Sequence, residues 1–198
     1  MFVQIMEAQA ADAEAVKRVG DRWAAELRPG ATGFLGSTGG VTADGRFIVL
    51  ARFDSEASAR ANSDRPEQGE WFAELEQNLG GPVSFAESSD VDEFLGGGSD
   101  DAGFVQIMKV SGADRSTVDR LDAMFEEVAR SARPDLLGGF RAWTSPTDYV
   151  EAAYFTSEEE ARRGESAEPP EQLQAAMAEF EDLMSRTQFL DLSDPWLH

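Results

Sequence analysis

The sequence contains no cysteine and one histidine, His198, its last residue. The first absence removes disulfides, thiolate nucleophiles, zinc ribbons and iron–sulfur ligands together. The second removes any Ser-His-Asp triad built on an internal histidine, and axial haem ligation by such a residue. Lysine is nearly missing too, with Lys17 and Lys109 the only two among 17 basic residues. Against those stand 38 acidic residues, for a formal net charge of −21. Phosphate contacts need basic surface, so no nucleic acid and no anionic membrane is expected as a partner. Apolar runs such as 47–51 fall far short of the ~20 residues of a membrane span. The opening Met1-Phe2-Val3-Gln4-Ile5-Met6-Glu7 lacks the basic and apolar regions of a signal peptide, so a soluble, cytoplasmic protein is expected. The glycine runs Gly39-Gly40, Gly80-Gly81 and 96–98 form neither a GxGxxG nor a P-loop pattern. Glu158-Glu159-Glu160 and Asp100-Asp101 read as a solvated helix start and a linker rather than cation sites. Neither a metal nor any other cofactor is expected.

What is present is a repeat. Phe2-Val3-Gln4-Ile5-Met6 recurs unchanged as Phe104-Val105-Gln106-Ile107-Met108, 102 residues on. At the same offset Phe53, Ser55, Glu56, Ala59 and Arg60 return as Phe155, Ser157, Glu158, Ala161 and Arg162. Pro66-Glu67-Gln68 returns as Pro170-Glu171-Gln172 at 104, and Gly33-Phe34 matches Gly139-Phe140 at 106. Between the copies lies Gly96-Gly97-Gly98-Ser99-Asp100-Asp101, a flexible linker without a core-forming residue. Two domains follow, 1–97 and 102–198. Charge divides almost evenly, −9 over residues 1–99 and −12 over 100–198, so neither half is a polar tail.

Each unit reads β-α-β-β-α-β. Phe2 to Met6 alternates as a strand, and Asp12 is placed to cap a helix running to about Leu27. Val16, Val19, Trp23 and Leu27 form its apolar stripe; Val118, Leu121, Phe125 and Val128 repeat it. A hairpin follows, Gly33 to Gly39 and Arg46 to Phe53 around Asp44-Gly45, then in the second copy Gly139 to Thr144 and Tyr149 to Phe155. Ser157-Glu158-Glu159-Glu160 has the form of a capping box, and Ser55 begins the matching helix. Pro66 and Pro170 suit a helix restart, and strands from about Val83 to Glu87 and Thr187 to Leu192 close the units. The class is α+β: two tandem ferredoxin-like domains, each an antiparallel four-stranded sheet with helices on one face. Two joined copies can bury their uncovered faces against each other as an intramolecular dimeric α/β barrel. The chain is then a monomer by intramolecular pseudo-dimer, with a further dimer through its outer surface left open.

The passage Ala153-Tyr154-Phe155-Thr156-Ser157-Glu158-Glu159-Glu160-Ala161 and its copy Ala51-Arg52-Phe53-Asp54-Ser55-Glu56-Ala57 resemble the dimeric α/β-barrel superfamily, and within it antibiotic-biosynthesis-monooxygenase-like domains. The resemblance spans nearly all of both units. It is similar also to actinobacterial proteins with two such domains, a likeness that carries no assigned reaction. The haem-degrading branch of that superfamily uses a strand asparagine, a tryptophan and a helix histidine. Gln4 or Gln106, Phe53 or Phe155, and no helix histidine stand in the matching places. What the resemblance implies is cofactor-independent monooxygenase-like chemistry, in which a base forms a substrate carbanion in a dry pocket.

A small hydrophobic or aromatic ligand is expected in the barrel interior. Of the two faces of the third strand, Phe47, Val49, Ala51 and Phe53 with Tyr149, Glu151, Ala153 and Phe155 are expected to face that lumen. Ile48 and Leu50 are expected against the helices. Glu151 stands where the first copy has Val49, and Arg141 and Trp143, aligned with Leu35 and Ser37, could supply its counter-charge. The candidate catalytic residues are thus Glu151 and Arg141. The candidate substrate-binding residues are Gln4, Gln106, Trp143, Tyr149, Phe53 and Phe155. A structural Glu151–Arg141 pair competes with this reading, and Trp23, Trp71 and Trp196 read as core. The alternative function is a non-catalytic ligand-sensing or protein-interaction module.

Overall fold

The computed structural model describes all 198 residues, which divide into two compact units. The first strand, β1 (Phe2–Gln9), leads into α1 (Ala13–Arg22), whose Asp12 carboxylate accepts from the Ala15 amide at 3.0 Å. The helix then widens into a π-helical turn, Trp23–Leu27, and tightens to a 3-10 turn over Arg28–Gly30. The hairpin β2 (Phe34–Val41) and β3 (Arg46–Phe53) turns at Gly45, whose φ of 83° a residue with a side chain rarely adopts. Ser55 caps α2 (Glu56–Ser63), Pro66 opens α3 (Pro66–Glu76), and β4 (Ser84–Ser88) returns beside β1.

After β5 (Val91–Phe94) the plan repeats: β6 (Phe104–Val110), α4 (Arg115–Ala132), β7 (Leu136–Trp143), β8 (Tyr149–Phe155), α5 (Glu158–Glu165), α6 (Glu171–Gln174), α7 (Met177–Ser185) and β9 (Thr187–Leu192). A two-residue strand, β10 (Trp196–Leu197), ends the chain. The α+β class holds, and α4 is α-helical throughout where the first copy has its π turn.

Two features depart from the sequence reading. Each sheet has five strands rather than four, in the orders β10-β2-β3-β1-β4 and β5-β7-β8-β6-β9. The extra strand of each sheet comes from the end of the other repeat. Unit 1 is Met1–Val91 with Asp194–His198, and unit 2 is Asp92–Ser193, where a cut in the 96–101 linker was expected. The segments responsible, Val-Asp-Glu-Phe and Trp-Leu, are too short to show a period-2 pattern.

The faces of the third strand are the reverse of those expected. Phe47 belongs to the cluster that packs Val16, Val19, Trp23, Trp71 and Leu75, with Met6 and Val49 beside it, so this face meets the helices of unit 1. Tyr149 and Phe155 likewise pack toward Val118 and Ala161 in unit 2. Val3, Ile5, Ile48 and Leu50 lie on the opposite face and are also buried. With both faces out of water, an aliphatic strand centre does not identify the helix side.

Candidate functional site

Unit 1 holds a partly open cavity of about 280 Å³ between its sheet and its helices. The floor is β1, β2 and β3, presenting Gln4, Gly39, Val49 and Phe53. Trp23 of the π turn, Trp71 and Phe72 of α3, and Trp196 of β10 supply aromatic walls. π turns recur at functional sites, because the extra residue displaces one side chain from the regular helical stripe. Gly20 on α1 keeps the space open, while Gly39 on β2 borders it and lets the Val49 side chain lie close against the strand.

Polar groups around the cavity are largely committed to the protein. The Trp23 indole N–H donates to Gln68 Oε1 at 2.7 Å and that of Trp71 to the Val19 carbonyl at 2.9 Å. Both tryptophans therefore offer ring surface to an occupant. Gln4 donates to Glu87 Oε1 at 3.0 Å, and Asn62 Oδ1 accepts from Arg65 at 3.0 Å. No Asp, Glu, Lys or Arg borders the cavity.

His198, by contrast, does. Its amide donates to the Ser37 carbonyl at 3.1 Å and its carbonyl accepts from the Ser37 amide at 2.7 Å, extending the β10–β2 pairing of Trp196 with Gly39 and Leu197 with Thr38. Trp196 packs on Phe47, on the helix side of the sheet. Side chains alternate along a strand, so His198, two residues on, shares that side. Nothing in the sequence pattern pointed to this, because a terminal residue is by default frayed.

The predicted residues of unit 2 form a different object. Arg141 donates to Glu151 Oε2 through Nε at 2.8 Å and Nη2 at 2.6 Å, and to Asp122 Oδ1 at 3.1 Å. Its guanidinium lies 4.6 Å from the Tyr149 ring centroid, and Trp143 meets Tyr149 edge-on at 4.9 Å. Trp143 donates to Asp92 at 3.0 Å. Burial pushes the Glu151 carboxyl above its usual range, and Arg141 opposes that. Burial acts to lower Arg141, but Glu151 and Asp122 outweigh it and hold the guanidinium charged. Burial also raises Tyr149. Asp92, Glu93, Asp119, Asp122 and Glu126 surround the outer side of Arg141 in an acidic cleft.

Strand register shows what these residues replace. Arg141 pairs with Glu151 where Gly39 pairs with Val49, so the equivalents of Arg141 and Trp143 are Gly39 and Val41, not Leu35 and Ser37. The 106-residue match rested on a shared Gly-Phe dipeptide; Phe34 faces Phe53, but Phe140 faces Ala152. At the true offset Gly20, Gly39 and Val49 become Asp122, Arg141 and Glu151. The three residues that border the cavity in unit 1 are thus an ion-paired triad in unit 2.

Gln4 and Gln106 play one structural part twice. Gln4 holds Glu87, which Arg60 also binds at 2.7 Å; Gln106 holds Asp191 at 3.1 Å, which Arg162 also binds. Of the predicted residues, the cavity collects Gln4 and Phe53. Glu151, Arg141, Tyr149 and Trp143 cluster in unit 2, where Gln106 and Phe155 lie on neighbouring strands.

No protein-family model and no curated protein sequence matches the chain. In fold it is similar to a monooxygenase candidate from Fusobacterium nucleatum, with a TM-score of 0.74 and 9% identity over 96% of this chain and 90% of that one. An anthrone oxidase-like protein follows at 0.65 and 9%, covering 99% and 88%. A ferredoxin-fold protein of Listeria monocytogenes related to antibiotic biosynthesis monooxygenases gives 0.50 and 8%, covering 96% and 92%. At these identities the likeness is one of fold alone, that of tandem ferredoxin-like domains.

Proposed function

We propose that the protein binds a small aromatic molecule in the unit 1 cavity and oxidises it with dioxygen in a cofactor-independent, monooxygenase-like reaction. The observation behind the binding half is the cavity itself, walled by aromatic rings and bordered by no charged side chain. Its volume of about 280 Å³ lies just below the range of most ligand pockets, roughly 300–1,000 Å³, which favours no more than a few fused rings. Fold likeness to a monooxygenase candidate and an anthrone oxidase-like protein supports the oxidative half. A methylene activated by neighbouring rings loses one proton to a base, and the carbanion's electrons reduce dioxygen as a C–O bond forms. The resulting hydroperoxide loses water, so one oxygen atom stays as a carbonyl and the other leaves with both methylene hydrogens. The aromatic walls limit the contact of bulk water with the intermediates. Glu151 is engaged by Arg141 and does not border this cavity.

The test is binding of 2-naphthol, followed by quenching of the three tryptophans that line the cavity, in the wild type and in Gly20→Leu. A Cβ at Gly20 meets nothing closer than Trp196 at 3.8 Å, so a leucine is accepted by the helix and projects into the cavity. Wild-type quenching that saturates, and a loss of at least about tenfold in Gly20→Leu, is expected. Equal binding by both proteins would sink the cavity as the site. Oxygen uptake with anthrone reports the oxidative half. Binding without uptake leaves a non-catalytic ligand-sensing module, which the lack of a bordering carboxylate favours.

A further inference from the structure

A buried donor in unit 1 has no acceptor in the protein. Asn62, in the last turn of α2, is 6% exposed and borders the cavity. Its Oδ1 accepts from Arg65 Nη1 at 3.0 Å, and a guanidinium only donates, so this contact fixes which edge of the amide faces Arg65. Nδ2 is left on the other edge, unpaired, on a residue whose open side is the cavity. Unit 2 has no such group. There Gly164 stands 102 residues on, and the Arg133 guanidinium fills the space where a side chain would begin. Asn62 is therefore no part of the scaffold that the two copies share.

Resting on the cavity as the ligand site, we infer that Asn62 is its specificity-determining residue, donating a hydrogen bond through Nδ2 to an oxygen acceptor on the aromatic ligand. The other polar groups that border the cavity do not set that choice. The indoles of Trp23 and Trp71 are spent on Gln68 and the Val19 carbonyl, and the Ser63 hydroxyl on the Ala59 carbonyl. Gln4 gives its amide N–H to Glu87, which leaves an acceptor, and it recurs as Gln106. His198 is engaged within the protein. Gln68 and Trp196 keep an N–H unused, but both are only half-buried, so solvent serves them. The Ser37 hydroxyl is unpaired and the residue 8% exposed, yet a hydroxyl donates and accepts equally and selects for neither. Asn62 alone combines burial, a fixed orientation and a free edge that only donates. An apolar occupant would seal that N–H without a partner, and leaving a buried donor unpaired costs more than one bond gains. The ligand class narrows from aromatic to aromatic with a ring carbonyl, whose oxygen accepts in the plane of the rings.

Two probes separate this inference from the reading beneath it: 1-indanone, and indane, which has the same fused rings without the carbonyl. Both are titrated calorimetrically into the full-length protein. Asn62→Leu, similar in shape but without a donor, should weaken 1-indanone by roughly three- to tenfold and leave indane as tight or tighter. Asn62→Asp keeps an oxygen toward Arg65, and so the local fold, but turns the free edge into an acceptor; it should lose at least as much 1-indanone affinity. Gln68→Glu places the same charge elsewhere on the cavity border, and Ser37→Ala removes the other buried polar group. Both should hold the ratio of the two affinities within about twofold of the wild type. The Asn62 side-chain amide protons, identified by their loss in Asn62→Leu, should shift with 1-indanone and not with indane. An unchanged ratio in both Asn62 variants, or a fall in Ser37→Ala or Gln68→Glu with none in Asn62→Leu, overturns the role of Asn62 and leaves the cavity standing. Failure of the wild type to bind either probe removes the cavity reading and this inference with it.

Discussion

Arg141 shows how one position can change the character of a whole site. Where the Val49 side chain covers Gly39 in unit 1, a guanidinium joins two carboxylates in unit 2, with Arg141 only 6% exposed. Removing one member of a buried pair leaves an uncompensated charge, whereas replacing both by apolar groups is near neutral. Because Asp122 still binds Arg141, Glu151→Val should destabilise unit 2 in denaturant unfolding by less than the roughly 3–5 kcal/mol of a wholly unpaired charge, and Arg141→Met in the same chain should restore most of that. Additive losses would contradict the pairing. A second residue-scale prediction concerns acid. Hydrogen bonding from Arg60, helped by Gln4 and opposed by partial burial, holds Glu87 below its usual 4.5. A depressed carboxyl contributes stability that is present above the unfolded value and lost as pH falls through the folded one. The stability difference between wild type and Glu87→Gln should be largest at neutral pH and should fade below about pH 4. A difference independent of pH would refute the linkage. At this scale the sequence was legible for caps, since Asp12, Ser55 and Ser157 stand at the helix starts expected of them and each accepts a backbone N–H of its first turn. The exchange of Val49 for Glu151 was legible too, but those of Gly20 for Asp122 and Gly39 for Arg141 were not, because they appear only once register fixes the offset.

Among elements, the two shortest strands matter most. β10 covers the edge of β2 and brings Trp196 and His198 to the cavity, while β5 does the same for β7 with Asp92 and Phe94. Ending the chain after Ser193 would leave β2 as an unpaired edge and open one cavity wall. The amides of Phe34–Val41 should then exchange with solvent at least about tenfold faster, while those of Leu136–Trp143 keep their protection. Uniform acceleration in both strands would show that β10 acts on the whole fold and not on unit 1. Hydropathy periodicity found α1, α4 and the hairpins because each buries one face over several turns or pleats. It placed the third strand the wrong way round because Phe47 and Ile48 are both withdrawn from water, at 2% and 0% exposure. A two-residue strand such as Trp196-Leu197 has no period to read.

Across the whole molecule, duplication was the most legible property, since an unchanged five-residue strand recurs 102 residues on. What duplication could not reveal is that the copies have diverged in chemistry, one toward an apolar cavity and the other toward an ion-paired, acid-rimmed unit. The net charge of −21 repels itself at low ionic strength, so salt should stabilise this fold. Raising sodium chloride from about 10 mM to about 500 mM should increase the Tm by a few degrees, as the Debye length shrinks several-fold. A falling Tm would mean that attractive ion pairs outweigh the repulsion. The central claim is that ligand recognition belongs to one unit only, and binding stoichiometry tests it most directly. Calorimetric titration of the full chain with 2-naphthol should give one molecule per chain, lost on Gly20→Leu. Two molecules per chain, or one that survives Gly20→Leu, would contradict it.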